Sequence, residues 1–393
     1  MTTTPLRDRP PVASHLTRDD VEQLGRELDA IRQRVVETRG ARDAAYIRRV
    51  IAVQRALELG SRAVLLAGRH RTAWWVGTAS LSLAKILENM EIGHNVLHGQ
   101  WDWMRDPKIH STTWTWDHAS PPELWQKTHN ETHHRFTNIV GHDNDLGYGV
   151  MRVAEEQEWK PIHLTQPLIN VLMACVFEWS IAMYDADLGS SLDDKSRLTP
   201  EGRERLQRTL RRAGQQAAKD YLVHPALSGP GFGRTLAANA IANLVRNVWS
   251  HSVIMCGHFP EGVETFELDE LDLDESRGEW YLRQMLGSAN ISGSPFLHLM
   301  TGNLSHQIEH HCFPDLPSNR YGEIAPQVQA VFERYGLTYC ARPLLPQVGS
   351  AWHRVLRLAF PDGWLEETNV RNVVPQVRRL ARITRAARAR RGR

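Results

Sequence analysis

GNLSHQIEHHCFPDLPSN, residues 302–319, carries three histidines within six positions. On an α-helix, residues four apart share a face and residues five apart lie beside it, so His306, His310 and His311 are expected to converge on one point. A metal ion is the obvious purpose of such convergence.

Two other stretches follow the same grammar. HNVLH contributes His94 and His98, and HNETHH contributes His129, His133 and His134. The three boxes hold eight of the chain's 19 histidines in 17 positions, a density that an even scatter does not produce. Imidazole is a neutral nitrogen ligand suited to iron, copper, nickel and zinc. A structural zinc site is closed by four ligands and a catalytic one commonly uses three, so eight histidines predict two ions sharing the set. Two metals among helices, without cysteine ligands, point to a dinuclear centre for dioxygen chemistry, although helical di-iron sites are more often built from carboxylates.

Outside the boxes, His251 and His258 stand seven apart, with Asn247 one turn before His251. His258, followed by a Phe-Pro turn, is the preferred additional ligand; His251 and Asn247 are weaker candidates. Isolated histidines such as His15, His70 and His353 read as ordinary hydrogen-bonded residues. His110, His118 and His142 flank the boxes and are expected in supporting or surface roles. Metal-bound imidazoles usually donate their other N–H to a carboxylate or carbonyl, which gives Glu91, Glu131, Asp143, Asp145 and Glu309 a candidate role beside that of plain solvated charge. There is no GxSxG and no Walker loop, so neither serine hydrolysis nor phosphoryl transfer has local support. The lack of HExxH counts against the commonest zinc hydrolases.

The rest of the chain frames these boxes. With 41% hydrophobic and 23% charged residues, the composition suits either a soluble protein or membrane helices flanked by polar regions. A net charge of +2 gives no reason to expect nucleic acid. The N-terminus lacks the apolar core of a secretory signal. The four cysteines, Cys175, Cys256, Cys312 and Cys340, are too scattered for a disulfide framework, so a reducing compartment is expected. A polar helical prelude runs from Thr17 to about Glu58. Apolar stretches at 50–67, 73–90, 166–184 and 234–257 approach the ~20 residues that cross a bilayer, but each carries polar residues, which in such segments face a protein interior or a site. The arginine-rich segment Lys195–Lys219 belongs on the cytoplasmic side by the positive-inside tendency. A full crossing by 166–184 would put it on the wrong side, so that stretch is expected to lie in the interface or to turn back as a re-entrant element.

HNVLHGQWDWM, THNETHHRFTNIVGHDND and the opening GNLSHQIEHHCFPDLPSN together resemble the three histidine boxes of membrane fatty acid desaturases, most closely the acyl-CoA desaturases of actinobacterial type. The similarity runs from about residue 70 to about residue 325. It implies an all-α, membrane-associated helical bundle in a bacterial cell membrane, with a di-iron cap facing the cytoplasm. It also implies an oxidoreductase that uses two iron ions, dioxygen and two electrons to insert a cis double bond, at Δ9, into a long-chain acyl-CoA. The expected organisation is an extension over 1–49, a desaturase domain over 50–345, and a helical region with a basic tail over 346–393. By motif, the metal set is His94, His98, His129, His133, His134, His258, His306, His310 and His311. His258 matches the GHFP turn of bacterial relatives. At the head of the third box His306 and Gln307 compete, since the wider family often shows glutamine at the latter place. Cys312 stands where an aliphatic residue is more usual.

Thirteen tryptophans invite a role at an apolar-wet boundary. Trp101, Trp103, Trp114 and Trp116 are therefore candidates for the mouth of an acyl tunnel. No fused haem domain with HPGG is present, so the resemblance implies a separate ferredoxin-like or iron-sulfur flavoprotein reductase drawing on NADPH. The basic C-terminus, ARITRAARARRGR, is a candidate contact for that donor or for anionic membrane lipid. Related hydroxylases and ketolases use the same boxes, acyl-lipid desaturases share the chemistry, and a metal-binding membrane scaffold without turnover is the non-enzymatic alternative.

Overall fold

A computed structural model describes residues 11–143, 145–187, 198–267, 275–364 and 376–384. The part of the basic tail beyond residue 384 and most of the acidic run 266–276 lie outside the described residues.

The prelude forms two helices. Helix α1, Arg18–Thr38, opens on a capping box in which Thr17 Oγ1 accepts from Asp20 N and Asp20 Oδ2 accepts from Thr17 N. It stops at Arg39, whose backbone is extended, and Gly40 starts α2, Ala41–Leu66. Helix α2 runs without a break through positions 49 and 50. A turn at 67–70 leads into α3, Arg71–Leu87, which packs back on α2. That contact is close because Gly77 offers no side chain: a Cβ there would stand 2.7 Å from Leu65 Cγ. The axis of α3 continues through a π-helical turn, Glu88–His94, into Asn95–Leu97.

Helix α4, Pro122–Gln126, likewise continues through a π turn, Lys127–His133, into His134–Phe136. Helices α5, Gln166–Cys175, and α6, Phe177–Asp185, are bent 98° from one another. Helix α7, Pro200–Ala218, carries the arginines; α8, Phe232–His258, is the longest at 27 residues, roughly 40 Å. Helix α9, Arg277–Leu286, follows, then the short strand β1, Asn290–Ser292. Helices α10, Gln307–Cys312, and α11, Tyr321–Arg334, precede β2, Ala341–Pro343, which pairs in parallel with β1. Helix α12, Leu344–Leu358, spans positions 345 and 346.

Helices α3 and α8 run side by side in the same direction. Trp74 Nε1 donates to Arg234 O near their starts, and Ser250 Oγ donates to Asn89 Oδ1 near their ends. Their C-terminal ends therefore deliver His94, His98 and His258 to one place. Polar residues inside these apolar stretches point inward, as their cost in hydrocarbon requires. Lys85 Nζ lies 2.7 Å from Asp220 and 3.1 Å from Asp117, and Arg246 pairs with Glu178, all within the bundle. Large apolar side chains are exposed as well: Leu59, Leu66, Trp75, Leu168, Leu172 and Phe296 are each more than half exposed. Among the described residues no single helix is long and apolar enough to cross a membrane; the bent α5–α6 pair, with its lead-in from Pro161, reaches the required length and composition only as a broken unit.

Candidate metal centre

Four elements supply the imidazoles: the end of α3, the π-helical continuation of α4, the last residue of α8, and α10. Both of the first two boxes sit at π turns, which occur mostly as single bulges at functional sites. His94, His98, His129 and His310 offer nitrogens that lie within 4.8 Å of one another, as do those of His133, His258 and His311. His134 stands between the groups, its ring 4.7 Å from His98, 4.9 Å from His310 and 4.4 Å from His311.

The hydrogen bonds fix which nitrogen faces inward. His94 Nδ1 lies 3.2 Å from Asn95 Oδ1, His310 Nδ1 3.3 Å from Tyr321 Oη, and His311 Nδ1 3.0 Å from Gln284 Oε1. Because the Tyr321 hydroxyl already donates to Phe313 O, its oxygen is left to accept from His310. His133 Nδ1 contacts both carboxylate oxygens of Asp143 at 3.0 and 3.1 Å, and His129 Nδ1 lies 3.4 Å from Asp145. The Nε2 atoms of His98, His129, His133, His310 and His311, and both ring nitrogens of His134, are buried without a protein partner. Unpartnered buried nitrogens are costly singly, and a convergent set is explained by cations. The donor set fits two borderline metal ions such as iron.

Electrostatics favour neutral ligands. Burial, and then the neighbouring imidazoles, hold His98, His310 and His311 well below the usual imidazole range, and burial holds His94 at about 4. His133 differs: burial opposes its charge, but Asp143 and Asp145 outweigh burial and push it up to about 9. Two carboxylates that favour a proton on that ring favour a divalent cation on its Nε2 by the same attraction.

His306 does not join the set, which corrects the expectation from spacing. Its backbone, φ −103° and ψ 55°, is not helical, so α10 begins at Gln307 and the four-residue face never forms. The His306 ring stacks instead on His298 at 4.6 Å. Gln307 takes the inward position, its Nε2 3.0 Å from His258 Nε2. A Cβ on Gly257 would stand 2.8 Å from Gln307 Cγ, so that glycine makes room for the amide. His251 packs its ring on Phe177, and Asn247 braces the α5–α6 bend by donating to Cys175 O and accepting from Glu178 N; neither reaches the imidazole groups. Glu309 turns away and accepts from Asn290 and Tyr339. Glu91 accepts from Tyr46, Asn303 and Ser318, and Glu131 is exposed. Cys312 is packed as a small apolar side chain in the core that includes α1.

Beside His94, His129, His133 and His258 lies a cavity whose apolar wall includes Met90, Trp116, Trp125, Phe177, Ile254 and Leu304. Of the four tryptophans expected at a tunnel, only Trp116 lines it. Trp101, Trp103 and Trp114 pack in the cluster against α2, where ordinary core-filling claims them. Trp125, four residues before His129 and stacked on it at 4.5 Å, was the ring to find, and its helical spacing from the second box was the available signal. His118, expected in a supporting role, is buried against Trp116 at 4.3 Å and lines the cavity.

The fatty acid desaturase family model matches residues 72–343. An NADPH-dependent stearoyl-CoA 9-desaturase of Mycobacterium tuberculosis is 49% identical over 361 residues, 91% of this chain and 84% of its own. Sn-1 linoleoyl-lipid 6-desaturases of Synechocystis and Arthrospira platensis are 25% and 26% identical, covering 68% and 55% of this chain and 75% and 59% of their own lengths.

Proposed function

The chain belongs to the fatty acid desaturase family, and on that premise we propose that it is an oxygen-dependent acyl-CoA desaturase acting at Δ9 of a long saturated chain such as stearoyl. The observation that carries the metal-dependent part of this reading is the convergence of unpartnered, buried imidazole nitrogens from three distant boxes. The similarity to the mycobacterial enzyme supports the acyl-CoA carrier, the position of the double bond and the dependence on NADPH.

The overall balance is that two adjacent methylenes lose two hydrogens, dioxygen takes these with two electrons and two protons, and two waters form. His94, His98, His129, His133, His134, His258, His310 and His311 would hold two iron ions, with Gln307 beside His258. Iron held there would supply the oxidant that an unactivated C–H bond demands, because such a bond offers no charge for a side-chain base to act on. The chain's own residues do the rest. Asn95, Gln284, Tyr321, Asp143 and Asp145 hold the outer nitrogens and so aim the inner ones. Met90, Trp116, Trp125, Phe177, Ile254 and Leu304 give an alkyl chain an apolar wall beside the imidazoles and keep water from it.

The exposed Leu59, Leu66, Trp75, Leu168, Leu172 and Phe296 support seating in a membrane, where such side chains are covered. The arginines of α7 support a cytoplasmic position for the histidine cap. Electrons then arrive from a separate reductase on that side.

The test is purified, iron-loaded protein given labelled stearoyl-CoA, a reductase and NADPH, with product read by mass. Loss of two hydrogens and cleavage products that locate the double bond at carbon nine are expected. Gain of one oxygen would replace this reading by hydroxylation, and no iron-dependent product would end it.

A further inference from the structure

Helix α1 lies wholly outside residues 72–343, yet it is built into the support of the third histidine box. Its buried face, Val21, Leu24, Leu28, Ile31 and Val35, shares one core with Tyr281 and Leu282 of α9, Ile308 and Cys312 of α10, and Tyr321 and Val328 of α11. The approach to α9 is backbone to backbone: a Cβ on Gly278 would stand 2.3 Å from Val21 O, and one on Gly25 would stand 2.8 Å from Gly278 Cα. Polar ties repeat the same grip. Tyr281 Oη donates to Asp29 at 2.7 Å, Arg32 pairs with Asp315 just past α10, and Arg34 donates to Gln327 of α11 at 2.7 Å.

The two helices that α1 grips each carry a residue that aims a ligand of the metal centre. Gln284 of α9 receives His311 Nδ1 through Oε1 and donates through Nε2 to His134 O at 3.1 Å, tying α9 to the second and third boxes at once. Tyr321, at the start of α11, receives His310 Nδ1. Both side chains are fully buried, so neither ligand has water as an alternative partner.

We propose that α1 is a clamp that holds α9 and α11 so that Gln284 and Tyr321 aim His311 and His310 at the metal ions, with Gln284 as the positioning residue between the clamp and the metal centre. The inference rests on the metal-centre reading. Without the clamp, α9 is free to drift from α10 and Gln284 Oε1 leaves His311 Nδ1, which keeps only the longer contact to Thr137 Oγ1 at 3.3 Å, so the ring is held less firmly in direction.

The experiment measures release of iron, or of cobalt read by its visible spectrum, from the full-length protein into excess chelator. Gln284→Ala, with α1 intact, is expected to release one of the two ions about 10- to 100-fold faster, and Gln284→Glu, which keeps the acceptor for His311 Nδ1 but loses the donor to His134 O, is expected to release it more slowly than Gln284→Ala. Gly278→Ala, which separates α1 from α9, and Tyr281→Phe, which removes the tie to Asp29 together with the hydrogen bond that Tyr281 Oη accepts from Arg277 on the same helix, are expected to accelerate the same phase. Arg26→Ala, on the exposed face of α1, is the control. If Gly278→Ala does not fold, Tyr281→Phe carries the arm. Gln284→Ala releasing both ions at the wild-type rate overturns the proposal, as does acceleration by Gln284→Ala with none by Gly278→Ala or Tyr281→Phe. A wild-type chain that holds no metal fails differently, because it removes the metal centre itself.

Discussion

The ring of His134 lies face to face with that of His311, 4.4 Å apart and 15° from parallel, although the two belong to different boxes. Both ring nitrogens of His134 are buried without a partner, and its ring also meets those of His98, His129 and His310. Its ring thus touches members of both groups of converging imidazoles. His134→Ala is therefore expected to lower metal content at both positions, from about two ions toward none, where loss of a ligand at one edge removes about one. Metal analysis of the purified variant checks this, and a variant that keeps two tightly bound ions contradicts it.

His306 and Gln307 separate cleanly. His306→Ala is expected to keep metal content and turnover near wild type, since its ring rests on His298. Gln307→Ala is expected to weaken metal binding by about 10- to 100-fold, as loss of an outer partner of a ligand does. Parallel metal titrations decide, and the reverse order would restore His306 to the ligand set.

Metal affinity should depend on pH through His133. Its metal-free ring is pushed up to about 9 by Asp143 and Asp145 against burial, so below that pH the ring carries a proton that must leave when a cation binds. Apparent affinity is thus expected to rise about tenfold per pH unit as pH climbs toward 9 and to level above it. Asp143→Asn removes the largest support for the proton, so the levelling should begin at lower pH. Chelator competition from pH 6 to 9.5 gives the two curves, and superimposable curves would show that Asp143 does not govern the proton.

The tryptophans divide into two kinds. Trp101 is fully buried and does not line the cavity, so Trp101→Ala should cost about 3–5 kcal/mol of stability without changing which bond is oxidised. Trp116 faces the cavity, so Trp116→Ala should alter acyl-chain affinity or the position of the double bond with a smaller loss of stability. Thermal unfolding and product analysis of the pair test the division. Equal product profiles in both variants would place the acyl chain elsewhere.

Much of the site was legible in the chain. The i, i+4 spacings in HNVLH and HNETHH survive as pairs of neighbouring rings, because a local π turn keeps such residues on one side of the axis. His258 was legible because a Phe-Pro turn marks where its helix ends. The same spacing argument failed at His306, since one non-helical residue at the start of α10 is enough to swing a side chain to another neighbour. Trp101 and Trp116 have the same local chemistry and share one core cluster, so only the place of the cavity, which Trp116 lines and Trp101 does not, tells them apart.

Taken alone, the order of amino acids determined that this protein carries two metal ions' worth of imidazole, on helices, in three boxes. These are local properties, set by residue type and by the few positions between neighbours. Which rings come together, which nitrogen of each is left without a partner, and that a helix at the N-terminus packs against a box nearly 300 positions later were decided by tertiary structure. The reason is that hydrogen-bond direction and side-chain contact depend on which distant backbones approach, and nothing in the spacing within a box encodes that approach.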